Sequence, residues 1–171
     1  MSTPNGFGRW LRHLWMGPAH ARAAFPPDDY RRIEAAIAEG ERRHRAELRF
    51  AVEASLDPRR LWRGMRARDR AVEVFAGFRI WDTEENNGVL LYVLLADRAV
   101  EVVADRGAMR HVDPLAWDLA ARQLADGCCD ERRVDGALAA IATLHEALAR
   151  AYPADGRPNP DELPNRPIML D

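Results

Sequence analysis

The sequence contains no lysine; all 25 of its basic residues are arginine. Taken with the alanine-rich runs, this marks a compositional bias and carries no functional information. Cysteine is almost absent as well, with Cys128 and Cys129 adjacent to each other. Neighbouring cysteines close a disulfide only through a strained ring, which excludes a disulfide framework and predicts free thiols in a reducing cytoplasm. No apolar run exceeds the eight residues 89–96, well short of the ~20 that a membrane-spanning helix requires. Arg9, Arg12 and His13 interrupt the apolar residues near the start, where a signal peptide would need an unbroken stretch. Neither sign of charge dominates: the net charge is −2, so there is no global attraction to nucleic acid. No P-loop appears, and no nucleotide cofactor is expected.

What is present is an ordinary globular composition, 47% hydrophobic and 30% charged over 171 residues, enough for one domain with a substantial core. Three parts differ in character: a basic, Trp-rich lead over 1–27, a body over 28–153 and a Pro-rich tail over 154–171. In the lead, Trp10, Leu11, Leu14 and Trp15 have the spacing of one helical face, beside Phe7 and Met16. A helix is expected from Asp28 or Asp29, with Tyr30, Ile33, Ile37 and His44 along one side. Alternation over 47–53 predicts a strand with one buried face. Asp57-Pro58 and Asp113-Pro114 each place an N-cap before proline at the first helical position. The first of these helices is expected to turn Leu61, Trp62, Met65, Val72 and Phe75 inward. The second should bury Leu115, Leu119, Ala120 and Leu124 and end at Gly127. The last helix, over about 130–152, carries a stripe of Val134, Leu138, Ile141, His145 and Leu148. Residues 88–104 read as an antiparallel hairpin turning at Asp97-Arg98, its first strand apolar on both faces. The crossover from 47–53 to 88–96 makes those strands parallel. Together these elements predict an α/β/α sandwich around a mixed sheet of about four strands. The tail should lie extended on the surface, with Ile168, Met169 and Leu170 available to dock.

The run Trp81-Asp82-Thr83-Glu84-Glu85-Asn86-Asn87-Gly88-Val89-Leu90-Leu91, followed by Ala96-Asp97-Arg98 and Glu101-Val102-Val103-Ala104-Asp105-Arg106-Gly107, resembles the TPM domain family. Arg49-Phe50-Ala51-Val52 and the region of Trp117 also fit, so the resemblance spans roughly residues 28–153. It implies a mixed sheet between helices. It further implies one of two kinds of role. Thylakoid members are linked to photosystem repair and described as acid-phosphatase-like, whereas others look like metal-binding or accessory modules of membrane proteins. The chain departs from the pattern at Asn86-Asn87-Gly88, where exported relatives often show Asp-Asn-Gly.

A turn at 97–98 would place Asp105 opposite Leu90 and Gly107 opposite Gly88. Asp105 would then share one sheet end with Asp82, Glu84, Glu85, Asn86 and Asn87. Hard cations such as Ca²⁺ or Mg²⁺ take several oxygen ligands, and these six residues are the candidate set. The competing reading is a solvated acidic turn, and the EF-hand pattern is not met. Hydrolysis of a phosphate ester would need a nucleophile and an oxyanion clamp; Asp82 or Asp105 could attack and Arg106 could clamp. No aspartyl-phosphatase motif or Cys-x5-Arg loop supports that chemistry. The histidines, His13, His20, His44, His111 and His145, show no metal-ligand spacing, and His44 and His145 read as structural. Residues 7–16 are expected to pack their apolar face on the body. The alternative is an interfacial helix against a membrane surface or membrane protein, peripheral to the inner face. The leading expectation is a non-catalytic TPM-like module that binds a partner or divalent cation beside membrane complexes. A weak phosphatase-like hydrolase is the alternative.

Overall fold

A computed structural model describes residues 6–129, 132–156 and 162–170. In chain order the elements are α1 (Gly6–Trp15), α2 (Pro18–Ala24), α3 (Pro27–Glu41), β1 (Leu48–Glu53), α4 (Pro58–Trp62), α5 (Ala67–Gly77), β2 (Val89–Leu94), β3 (Ala99–Ala104), α6 (Arg106–His111), α7 (Pro114–Cys129), α8 (Arg133–Ala151) and β4 (Ile168–Leu170). The strands form one mixed sheet in the order β3-β2-β1-β4. β1 runs parallel to both β2 and β4, while β2 and β3 form the antiparallel hairpin. Side chains alternate between the faces of a strand, and here both faces meet helices. Leu48, Phe50, Val52, Val89, Leu91 and Val93 join a core with residues of α3, α7 and α8. Ala51, Leu90, Tyr92 and Leu94 join a second core with Leu61 of α4 and with α5. The architecture is the expected α/β arrangement of a four-stranded mixed sheet flanked by helices.

Several local expectations change once the chain is folded. All six residues of β1 are buried, because it lies between two strands and under helices on both faces. The polar half of its alternation therefore marks buried charge rather than a wet surface. The tail does not stay apart: Ile168, Met169 and Leu170 pair with Ala51, Val52 and Glu53.

The helix after Pro58 is two helices. Asp57 Oδ1 accepts the N–H groups of Arg59 and Arg60 at 2.9 and 3.1 Å, but the run breaks at Gly64, whose φ of 69° suits glycine. That break leaves Trp62 and Val72 exposed while Leu61 and Phe75 remain inside. In α7, Asp113 Oδ1 accepts the Leu115 N–H at 2.9 Å, yet Leu115 and Leu119 face solvent. Gly127 lies within α7 instead of ending it. A Cβ there would sit 2.7 Å from the Gly136 Cα of α8, so this glycine permits the two helices to touch.

The hairpin pairs Leu90 with Val103, two residues from the expected register. Its turn is wider than Asp97-Arg98 alone, closed by the Arg98 N–H donating to the Leu95 carbonyl at 3.0 Å. The last helix begins at Arg133; residues 130 and 131, where its start was expected, lie outside the described residues.

Candidate functional site

The lead helix docks with the opposite side from the one its hydrophobicity suggests. In α1 the buried residue is His13. Its Nδ1 accepts the Leu56 N–H at 2.9 Å, which leaves the proton on Nε2 to donate to Asp97 Oδ1 at 2.9 Å. Arg9 donates Nε and Nη2 to the same carboxylate at 2.9 and 2.8 Å, and Nη2 also reaches the Met65 carbonyl at 2.7 Å. Arg12 Nε donates to the Ala96 carbonyl at 3.0 Å, and Ser55 Oγ donates to the Met16 carbonyl at 2.7 Å. Burial by itself would raise the Asp97 carboxyl, but the bonds from His13 and Arg9 outweigh it. The group is held well below the usual carboxylate range.

With the polar side of α1 spent on Asp97, the apolar side faces outward. Phe7, Leu11, Leu14 and Trp15 are 78%, 52%, 64% and 84% exposed. Trp10 alone of the expected face is partly buried, against the second core. Sequence periodicity identified this apolar stripe; its direction depended on Asp97, a residue of the distant hairpin turn. The i, i+4 pair Arg9 and His13 was the available signal, since two donors on one face need an acceptor.

At the other end of the sheet, residues 105–108 lie against 86–88. The Asp105 N–H donates to the Gly88 carbonyl at 2.9 Å, and the Gly107 and Ala108 N–H groups donate to the Asn86 carbonyl at 2.9 and 3.3 Å. Both glycines are sterically required. A Cβ on Gly88 would fall 1.9 Å from the Ile80 carbonyl oxygen, and one on Gly107 would fall 2.5 Å from that of Asn86. Asp105 and Asn87 thus share a rim, as the hairpin predicted. Asp105 Oδ1 accepts the Arg106 N–H at 2.6 Å, and Asn87 Nδ2 donates to the Arg45 carbonyl at 2.9 Å. The remaining oxygens, Asp105 Oδ2 and Asn87 Oδ1, are buried without a hydrogen-bond partner.

The other acidic candidates turn elsewhere. Asp82 pairs with Arg79 at 3.2 Å and Glu85 with Arg45 at 2.6 Å. Glu84 is exposed, and its N–H donates to Glu162 Oε2 at 2.9 Å. Arg106 is exposed on α6. Among the described residues no three His, Cys, Asp or Glu side chains gather into a group that could hold a metal ion. Also among the described residues, no helix is long and apolar enough to cross a membrane.

His44 and His145 meet in the core with ring centroids 4.9 Å apart and His44 Nε2 2.7 Å from His145 Nδ1. Both are buried. Cys128 and Cys129 are free thiols.

Comparison with known proteins agrees with this architecture. The family model described as TPM domain matches residues 21–147. The NMR structure of BA42 protein from the psychrophilic bacterium Bizionia argentinensis sp. nov. superposes with a TM-score of 0.73 at 25% identity, covering 84% of this chain and 93% of that one. A search of curated proteins finds no significant match.

Proposed function

The chain belongs to the TPM domain family, and from that premise we propose that it is a non-catalytic module that docks on a membrane surface through α1. One observation carries this reading: α1 is anchored by Arg9, His13 and Arg12, so its four large apolar side chains point away from the body. Burying each of them would contribute about 1.5–3 kcal/mol, which a folded monomer forgoes. A helix lying in the plane of a bilayer recovers that energy, with tryptophan at headgroup depth and arginine beside it. Flotation of the full chain with phosphatidylcholine vesicles tests the reading. The wild type is expected to float and a Leu14→Ser, Trp15→Ser variant to stay below, with unchanged folding because both positions are exposed. Equal behaviour of the two proteins would refute lipid docking. So would a lipid-free dimer, seen by sedimentation and abolished by the same changes, which would assign the stripe to a second copy.

A second reading, binding of a hard divalent cation such as Ca²⁺ or Mg²⁺, draws on the buried, unpartnered Asp105 Oδ2 and Asn87 Oδ1. A buried carboxylate oxygen without a donor is costly unless something positive meets it. Asp105 and Asn87 would hold the ion. Asp82 and Glu85 would first have to leave Arg79 and Arg45. Calorimetric titration with Ca²⁺ and Mg²⁺ is expected to give heat that Asp105→Asn abolishes, and heat that survives this change sinks the site. No comparable observation supports phosphate-ester hydrolysis by Asp82 or Asp105.

A further inference from the structure

Beside α1, a groove of about 560 Å³ opens where β2 ends. Its lining includes apolar Met16, Val93, Leu95, Val100 and Cys128, together with Arg12, His20, Arg98 and Arg133, and among the described residues it includes no acidic one. Among the described residues the lining also has no Phe, Tyr or Trp on which a base could stack. The position is the one where open α/β sheets place ligands, outside the carboxyl ends of parallel strands.

Two further features tie the arginines to a ligand. Arg98 holds φ at 50°, a left-handed conformation that glycine or asparagine adopts at less cost. A charged side chain is therefore retained at some expense to the turn. Arg12, which lines the groove, is held there by its Nε bond to the Ala96 carbonyl at 3.0 Å. The Trp15 ring lies 6.2 Å from that of His20, so the outward stripe of α1 runs directly into the groove rim. A bilayer touching that stripe would bring its headgroups to Arg12.

We propose that this groove binds an anionic phospholipid, with the phosphate at Arg12, Arg98 and Arg133 and acyl carbon on the Met16, Val93, Leu95 and Val100 floor. The proposal rests on the membrane-docking reading and adds the lipid class that the docked protein selects. Charge complementarity argues for an anion, because guanidinium groups recognise phosphate through fixed, paired donors. The apolar floor argues for a lipid, because a free phosphate would leave it uncovered.

Two measurements on the full chain separate this claim from docking itself. In flotation, the wild type is expected to prefer vesicles that include phosphatidylglycerol over phosphatidylcholine alone by about tenfold, the scale of one to two basic residues at an anionic surface. Arg98→Gly with Arg133→Gln should abolish the preference yet still float on phosphatidylcholine. Arg98→Gly also relieves the turn, so loss of fold is not the expected explanation. In calorimetry without any bilayer, dihexanoyl phosphatidylglycerol below its micelle concentration should bind the wild type and not the double variant, while inorganic phosphate should bind neither. If the variant keeps the vesicle preference, or the short-chain lipid fails to bind the wild type, the groove is not the lipid site although docking through α1 stands. If nothing floats but the short-chain lipid binds, docking falls and the groove remains. Equal binding of inorganic phosphate and lipid would overturn the role of the apolar floor.

Discussion

Acidification from pH 6.5 to pH 5 should remove about 3 kcal/mol of folding stability, through two histidines. Burial, with help from the Arg43 charge, lowers His44 to about 4; burial, then the neighbouring His44 and Arg43, lower His145 to about 3. The His44 Nδ1 accepts the Ala46 N–H at 3.2 Å, so its proton sits on Nε2 and faces His145 Nδ1. A second proton on either ring would bury a cation and set one N–H against another, at Ala46 for His44 and at His44 for His145. In the unfolded chain both histidines take up protons below about pH 6.5. Their folded values are depressed, so the stability is complete above 6.5 and declines as pH falls toward 4. Each ring's contribution steepens from about half of 1.4 kcal/mol per pH unit at 6.5 to nearly the whole of it by pH 5. Asp97, also held low, acts in the same direction only below the ordinary aspartate range. Denaturant unfolding at both pH values checks this. A His44→Asn, His145→Gln variant should show a nearly flat profile, and an undiminished pH dependence in it would assign the effect elsewhere.

Replacing Glu53 by alanine is expected to cost about 3–5 kcal/mol, the range for stripping one partner from a buried ion pair. Glu53 is 2% exposed in the middle sheet strand β1. Its Oε2 accepts the Tyr92 hydroxyl at 2.7 Å and Arg70 Nε at 2.8 Å. Burial, reinforced by the neighbouring Glu53 charge, pushes the Tyr92 hydroxyl far above its ordinary value, so it stays a donor. Arg70 keeps one further contact, from Nη1 to Glu73 at 3.1 Å. Removing Glu53 strands the Tyr92 donor in the core and the Arg70 charge beside it. For a chain of this length the loss should lower Tm by about 10 °C. A Glu53→Leu, Arg70→Leu variant should recover much of it, since apolar replacement of a whole buried pair is often neutral. A loss below about 1 kcal/mol for Glu53→Ala would show that water reaches the carboxylate and that the pair is a surface one.

Both predictions concern polar residues whose meaning was hidden in the sequence. Glu53 looked like the wet half of an alternating strand, and β4, 115 residues further on, contributed to covering it. His44 and His145 stood on separate helical stripes, with nothing in their neighbourhoods to pair them. The acidic rim divides in the same way. The hairpin brought Asp105 to Asn87, as the turn signal implied, but Asp82 and Glu85 went to Arg79 and Arg45 for want of any local rule about which cation a surface carboxylate meets.

By itself the sequence determined the α/β class, the parallel crossover, the hairpin, the Asp-Pro caps and the existence of an amphipathic lead helix. These depend on residues a few positions apart, where periodicity, proline and capping side chains act through the backbone directly. The tertiary structure alone decided which side of α1 turns inward, the exact hairpin register and the His44–His145 contact. Those outcomes rest on pairs 84 and 101 residues apart, Asp97 with His13 and His145 with His44. A buried carboxylate must find its donors wherever the fold brings them, and for α1 that requirement outweighed the burial of its apolar face.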